Sequence, residues 1–138
     1  MALSEFGLIQ HCFAAQAAAG LRPDVRLGIG DDCAILMPRP DHDLLVSVDT
    51  LVAGVHFPET TSPYQIASRS LTVNLSDLAA MGAEPAWFTL ALTLPEANES
   101  WLADFSRGLF DIANPHGISL VGGDTTQGPL SITIQVQG

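Results

Sequence analysis

The sequence contains no lysine. Its five basic residues are all arginine (Arg22, Arg26, Arg39, Arg69 and Arg107), and 15 acidic residues bring the formal net charge to −10. Such a chain repels the phosphates of nucleic acid and of anionic lipid, which excludes both as general electrostatic partners. Any phosphate-handling chemistry must draw its positive charge from metal ions, arginine or backbone N–H groups. Charge of either sign is scarce, 14% of residues against about 25% in ordinary soluble domains. Cysteine is scarce too. Cys12 and Cys33 are the only two, and without CxxC spacing they give neither a zinc knot nor a disulfide framework. Cys12 falls on an apolar helical stripe and reads as core. Cys33 follows two aspartates, but thiolate is too soft a ligand for a carboxylate-rich site built for a hard cation, so it also reads as structural.

No apolar run approaches the roughly 18–20 residues that span a bilayer. The opening Met1-Ala2-Leu3-Ser4-Glu5 carries an acid where a secretory signal carries basic residues. Ala17-Ala18-Ala19 is like a cleavage site, but Gln10, His11 and Gln16 interrupt the stretch before it. These features predict a cytoplasmic protein without a membrane partner. Hydrophobic residues nevertheless make up 47% of the chain, with 12 glycines besides. A monomer of 138 residues has too little interior to hide so much apolar surface, which predicts a dimer interface, a second domain, or both.

The periodicity predicts helix over 4–19, with Leu8, Ile9, Cys12, Phe13 and Ala15 on one side and Gly20 as the stop. Residues 24–30 lead through a glycine-hinged turn into a short apolar strand ending near Met37. A strand over 44–48 ends at Asp49-Thr50, and 51–58 reads as irregular or extended. Ser62-Pro63 opens a helix running to about Met81, closed by Gly82. A strand over 86–94 is bounded by prolines, and helix follows over 99–113. A strand over 118–121 runs into the turn Gly122-Gly123-Asp124-Thr125-Thr126, and a last strand covers 130–136. The expected fold is α+β: a mixed, mostly antiparallel sheet with helices packed on one face. The strand pattern is still running at Gly138, which points to a truncated chain or a boundary ahead of a second domain.

Aspartates recur where packing gives them no reason to be. Asp31 and Asp32 follow Gly28-Ile29-Gly30, Asp49 closes Ser47-Val48-Asp49, Asp77 interrupts an apolar helix, and Asp124 follows Gly122-Gly123. Carboxylates gathered at one sheet edge repel one another, and in a chain without lysine the natural counter-charge is a hard divalent cation such as magnesium. Neighbouring glycines let a bulky ligand approach the backbone and expose N–H groups to phosphate oxygens. Singly, Asp31 or Asp49 reads equally well as a turn or cap carboxylate. Asp77 is harder to dismiss, because aspartate is a poor helix-interior residue. Familiar phosphate devices are missing: there is no GxxxxGK[ST], and Gly28-Ile29-Gly30 lacks the third glycine of a dinucleotide fingerprint. No histidine lies in a nucleophile motif. His11 and His116 read as surface or capping residues and His42 as a turn residue, which leaves His56 closest in sequence to the acidic cluster.

Four segments taken together resemble a known family. Gly28-Ile29-Gly30-Asp31-Asp32-Cys33-Ala34, Ser47–Phe57, Val73–Ala83 and Gly122–Thr126 are similar, in order and spacing, to bacterial thiamine-monophosphate kinases, over essentially all of the chain. The Asn74–Ala83 run is shared in variant form with aminoimidazole ribonucleotide synthetase, selenophosphate synthetase and a hydrogenase-maturation protein, all ATP-using. The 48–57 stretch favours the thiamine enzyme. The resemblance implies ATP-dependent phosphorylation of thiamine monophosphate to thiamine diphosphate. It implies that Asp32, Asp49, Asp77 and Asp124 hold Mg2+, with Ser47 and the Val48 main chain beside them. Many relatives have threonine where this chain has Val48, so only a backbone ligand survives there. Gly123 and Asp124 would lie against the nucleotide phosphates and His56 would contact the substrate. No catalytic base is implied, since a phosphate acceptor, with a second pKa of roughly 6, is already ionised at neutral pH. The fold implied is the aminoimidazole ribonucleotide synthetase N-terminal domain, with sheets pairing in a homodimer and the family's C-terminal domain absent from these residues. The rival readings are another ATP-using member of the superfamily and a non-catalytic metal-binding dimerisation module. The latter lacks the D-x-[DN]-x-[DN]-G calcium-loop pattern.

Overall fold

The computed structural model describes residues 10–138. A π-helical turn, Gln10–Ala14, runs into the short helix α1, Ala15–Ala19. Of the helix expected over 4–19, residues 4–9 lie outside the described part. The described part is wound differently from the expectation because the Cys12 carbonyl is drawn aside. It accepts from Ser106 Oγ and from Gln16 Nε2, and side-chain donors competing for a helical carbonyl loosen the i→i−4 ladder. Cys12 is buried as expected, whereas Cys33 is exposed and belongs to no core.

Two further helices carry the bulk of the packing. Helix α2, Pro63–Ala80, starts at Ser62, whose hydroxyl accepts from the Gln65 N–H at 3.2 Å, with proline at the first helical position. Helix α3, Glu99–His116, is capped by Asn98, which accepts from the Trp101 N–H at 3.0 Å, and it ends on Gly117 in the left-handed region. It runs one turn beyond the expected Ala113, with Pro115 in its last turn.

The strands are β1 (Val25–Leu27), β2 (Ile35–Leu36), β3 (Val46–Val52), β4 (Trp87–Leu94), β5 (Ser119–Gln127) and β6 (Ser131–Gln137). The last four form one sheet in the order β3-β6-β4-β5, antiparallel except for the β4/β5 pair. The expected mixed, mostly antiparallel sheet is therefore present. Alternation sorts its two faces. Ile132, Ile134 and Val136 of β6 align with Phe88, Leu90 and Leu92 of β4 and are all buried under α2 and α3. Opposite them, Ala91, Thr133 and Thr50 form part of an outer face that is more polar and more exposed. The ribbon β1/β2 covers one end of that outer face, where Val25, Ala86, Trp87 and Val121 make a small second core.

Two strands run further than the sequence pattern suggests. Strand β3 does not stop at Asp49 but continues to Val52, so Asp49 lies mid-strand opposite Ile134. Strand β5 passes through Gly122, Gly123 and Asp124 to Gln127, so Asp124 is also mid-strand, opposite Ala91. Polar and glycine residues read as strand ends, but both are tolerated here because β3 and β5 are the sheet's two edges. The ribbon strand β1 was not anticipated as a separate element.

Candidate functional site

The half-buried side of β3 meets α2. Register places Ser47 opposite Val136 and Asp49 opposite Ile134, so both side chains point to the helix face. Asp77 comes to them from the last turn of α2. Ser47 Oγ donates to an Asp77 carboxylate oxygen at 3.3 Å. Asp49 is close enough to hydrogen-bond with Asp77, and that contact, followed by burial and by the Asp77 charge, pushes the Asp49 carboxyl above its ordinary pKa. Three of the residues singled out in the sequence are thus brought together by a strand and a helix 30 residues apart.

This donor set fits a hard divalent cation. It offers two carboxylates and a hydroxyl, all oxygen ligands, and its two acids repel each other when no counter-charge is present. The Val48 carbonyl lies between Ser47 and Asp49 on the same edge strand. Among the described residues no three His, Cys, Asp or Glu side chains converge into a complete metal cage.

The other expected site residues lie apart from this trio. Asp32 is in the exposed loop between β1 and β2, and its N–H donates to Asp31 Oδ1 at 2.8 Å, which makes Asp31 a turn carboxylate. Asp124 aligns with Ala91 and, like Thr126, belongs to the outer face. The Thr93–Thr126 hydroxyl contact at 3.0 Å lies on that same side. Asp124 and Asp49 therefore occupy opposite edges and opposite faces of the sheet. At Gly123 a Cβ would fall onto the Leu90 carbonyl oxygen, so only glycine fits there. His56 lies just past β3, exposed, with its Nδ1 accepting from the Val52 N–H at 2.9 Å.

A separate cleft of about 430 Å3 opens near the start of β4, between Trp87, Leu45, Met81 and Ala83. Four of its charged residues are paired with one another. Arg22 pairs with Asp24 at 2.9 Å, and Arg39 with Glu84 at 3.1 Å. Asp24 also accepts from Trp87 Nε1 at 3.0 Å. The Arg22 guanidinium hydrogen bond holds the Asp24 carboxyl below its usual pKa against the opposing effect of burial. Sequence reading placed Asp24 only at the head of a turn. Its partner Trp87 is 63 residues away, and no local signal links them.

Residues 30–138 match the family described as AIR synthase related protein, N-terminal domain. The chain belongs to that family. Within it, the thiamine-monophosphate kinase of Escherichia coli K12 is 54% identical over all 138 residues, and the match covers 42% of that relative. The crystal structure of thiamine-monophosphate kinase from Stenotrophomonas maltophilia K279a superposes with a TM-score of 0.85 at 53% identity, covering 100% of this chain and 43% of that one. The structure of AaThiL complexed with AMPPCP and TMP matches at a TM-score of 0.69 and 29% identity, again over 100% and 43%. The chain thus spans less than half the length of these relatives. No helix in the described residues is long and apolar enough to cross a membrane.

Proposed function

We propose that this AIR synthase related domain serves an ATP-dependent kinase that phosphorylates thiamine monophosphate to thiamine diphosphate. The observation that carries the reading is the meeting of Ser47, Asp49 and Asp77 at the β3 edge. It occurs in a chain 54% identical throughout to a thiamine-monophosphate kinase. The complex of AaThiL with AMPPCP, an ATP analogue, and TMP supports ATP and thiamine monophosphate as the two substrates.

In this reading residues 1–138 are the N-terminal ATP- and magnesium-binding and dimerisation domain, and a C-terminal domain completes the cleft, so that residues 1–138 alone dimerise but are inactive. Ser47, the Val48 carbonyl, Asp49 and Asp77 hold Mg2+ at the β3 edge and Asp32 and Asp124 hold it away from that edge; bound Mg2+ neutralises phosphate charge that a lysine-free chain cannot. Gly123, with no Cβ, lets the nucleotide phosphates approach the β5 backbone beside Asp124. His56 faces the substrate phosphate. The protein's own task is positioning for direct in-line transfer, since the acceptor phosphate is ionised at neutral pH and needs no base. Val46 and Val48, both more than half exposed on the outer face of β3, pair with a second copy to form a homodimer. The proposed compartment is the cytoplasm.

An assay of ADP, AMP and phosphate release by the full-length protein tests the reading with ATP, Mg2+ and thiamine monophosphate, and with the acceptor substrates of aminoimidazole ribonucleotide synthetase and selenophosphate synthetase in parallel. Turnover confined to thiamine monophosphate and dependent on Mg2+ supports it. Turnover with another acceptor alone moves the protein to a different branch of the family.

A further inference from the structure

The histidines with described side chains do not make the same use of their rings. Nδ1 of His42 faces the Pro40 carbonyl oxygen and Nδ1 of His116 faces the Ile112 carbonyl oxygen, both at 2.8 Å. A carbonyl only accepts, so in both rings Nδ1 carries a proton, whether the ring is neutral or charged. His56 is the opposite case. Its Nδ1 faces the Val52 backbone N–H at 2.9 Å, and a backbone N–H only donates. Nδ1 must therefore present its lone pair, and the proton of the neutral ring must sit on Nε2.

The fold explains why that donor is available. Strand β3 is an edge, so the N–H groups on its outer side have no ladder partner. The chain turns back immediately after β3. The Val55 and His56 N–H groups donate to the Val52 carbonyl at 3.1 and 2.9 Å, and the Gly54 N–H donates to the Phe57 carbonyl at 2.8 Å. Gly54 takes φ +80°, and Phe57, 4% exposed, anchors the far end of the turn in the core. The imidazole is thereby laid along the β3 edge, held at one nitrogen by its own strand, on the strand that also carries Ser47 and Asp49.

We propose that the Val52 N–H fixes His56 as the neutral Nε2–H tautomer, so that Nε2–H is a preset single donor to a phosphate monoester. Val52 acts here as a positioning residue through its backbone. This inference rests on the kinase reading for the identity of the ligand, but the tautomer itself does not depend on it.

Two measurements on the protein test it. Long-range 1H–15N correlation of the histidine rings at pH 8, without ligand, should show His56 with a protonated Nε2 and an unprotonated Nδ1. A protonated Nδ1, or an averaged mixture of tautomers, overturns the proposal. Thiamine monophosphate, with inorganic phosphate as the smaller probe, should then shift the Nε2–H resonance and leave Nδ1 unprotonated. No shift with either probe overturns the donor role even if turnover is normal.

The second measurement compares His56→Gln with His56→Asn. The Gln amide can supply a donor near the Nε2 position, while the shorter Asn can only replace Nδ1 as acceptor for the Val52 N–H. Asn should raise the KM for thiamine monophosphate by about 10- to 100-fold, as expected for a lost hydrogen bond to a charged group. Gln should raise it less, and kcat and the KM for ATP should hold in both. The reverse order overturns the proposal. A full-length protein, with its C-terminal domain, that is inactive on every acceptor would instead remove the kinase reading, and the ring spectra would still report the tautomer.

Discussion

Ser47 Oγ donates to the Asp77 carboxylate at 3.3 Å, and the same carboxylate lies within hydrogen-bonding reach of Asp49, whose pKa is raised by it. The sign of the linkage follows from that. The folded protein keeps the Asp49 proton to higher pH than the unfolded chain does. Stability therefore falls as pH climbs from the ordinary aspartate value of about 4 through the raised folded value, then levels off. Near neutral pH the cation-free protein carries this repulsion in full. Asp77→Asn removes it while leaving Ser47 an acceptor, and should melt about 1–2 °C higher than the parent in chelator. In saturating Mg2+ the order should invert, because a cation at about 100 times its dissociation constant contributes roughly 2.7 kcal/mol to the parent alone. Equal Mg2+ shifts in both proteins would exclude Asp77 as a ligand.

The outer face of β3 carries the second prediction. Val48 is 57% exposed and Val46 53%, neighbours on an edge strand beside Thr50 and Thr133, whose hydroxyls lie 2.8 Å apart. Val48→Glu keeps the strand register and the Val48 carbonyl, but it buries a carboxylate wherever two such faces meet. Light scattering should show a dimer for the parent at micromolar concentration and a monomer for the variant, with unchanged circular dichroism. A monomeric parent would sink the pairing.

Much of this arrangement is legible in the residues. Ser62-Pro63, Asn98 and Gly117 mark helix ends by local chemistry, and the apolar spacing of α3 gives its buried side directly. Asp77 is conspicuous because nothing local favours an acid inside α2. What escapes the sequence is long-range. Asp49 and Asp124 read as strand ends because polar residues and glycines interrupt an apolar run, yet an edge strand needs only one ladder partner and continues through them. The face each aspartate occupies depends on register across β6 and β4, which no single segment encodes. Separation of Asp124 from Asp49 is therefore a property of the sheet and not of either motif.

Asp24 supplies a pH-dependent prediction of the opposite sign. Its folded pKa is depressed, chiefly by the Arg22 hydrogen bond, so the stability it contributes is present above the ordinary carboxylate range and is lost as pH falls through the folded value. Asp24→Asn still offers an oxygen to Trp87 Nε1 but leaves Arg22 without its charge partner. The pair is about one-quarter exposed, which limits the loss to roughly 1 kcal/mol near neutral pH. Melting temperatures of parent and variant should draw together as the buffer is taken from pH 7 towards pH 3. A gap that stays constant across that range would mean the carboxylate charge contributes nothing.

Gly108 decides how closely α2 and α3 approach. In an exposed helix interior, glycine to alanine would stabilise by about 1 kcal/mol, because glycine loses more backbone entropy on folding. Here the sign reverses. A Cβ on Gly108 would run into the Tyr64 carbonyl oxygen and lies 2.8 Å from the Tyr64 Cα, all backbone that cannot step aside. The same junction is held by Tyr64 hydroxyl to Asp111 at 2.6 Å, by the Tyr64 N–H to Asp104 at 3.3 Å, and by Arg107 over the Tyr64 ring at 5.2 Å. Pushing the helices apart would lengthen these contacts together. Overpacking of this kind costs about 1–3 kcal/mol, so Gly108→Ala should unfold at lower urea concentration with an unchanged m-value. Tyr64→Phe, which removes only the hydroxyl contact to Asp111, should cost less than that. If Gly108→Ala proves as stable as the parent, the close crossing of the two helices is not what holds α2, and with it Asp77, over β3.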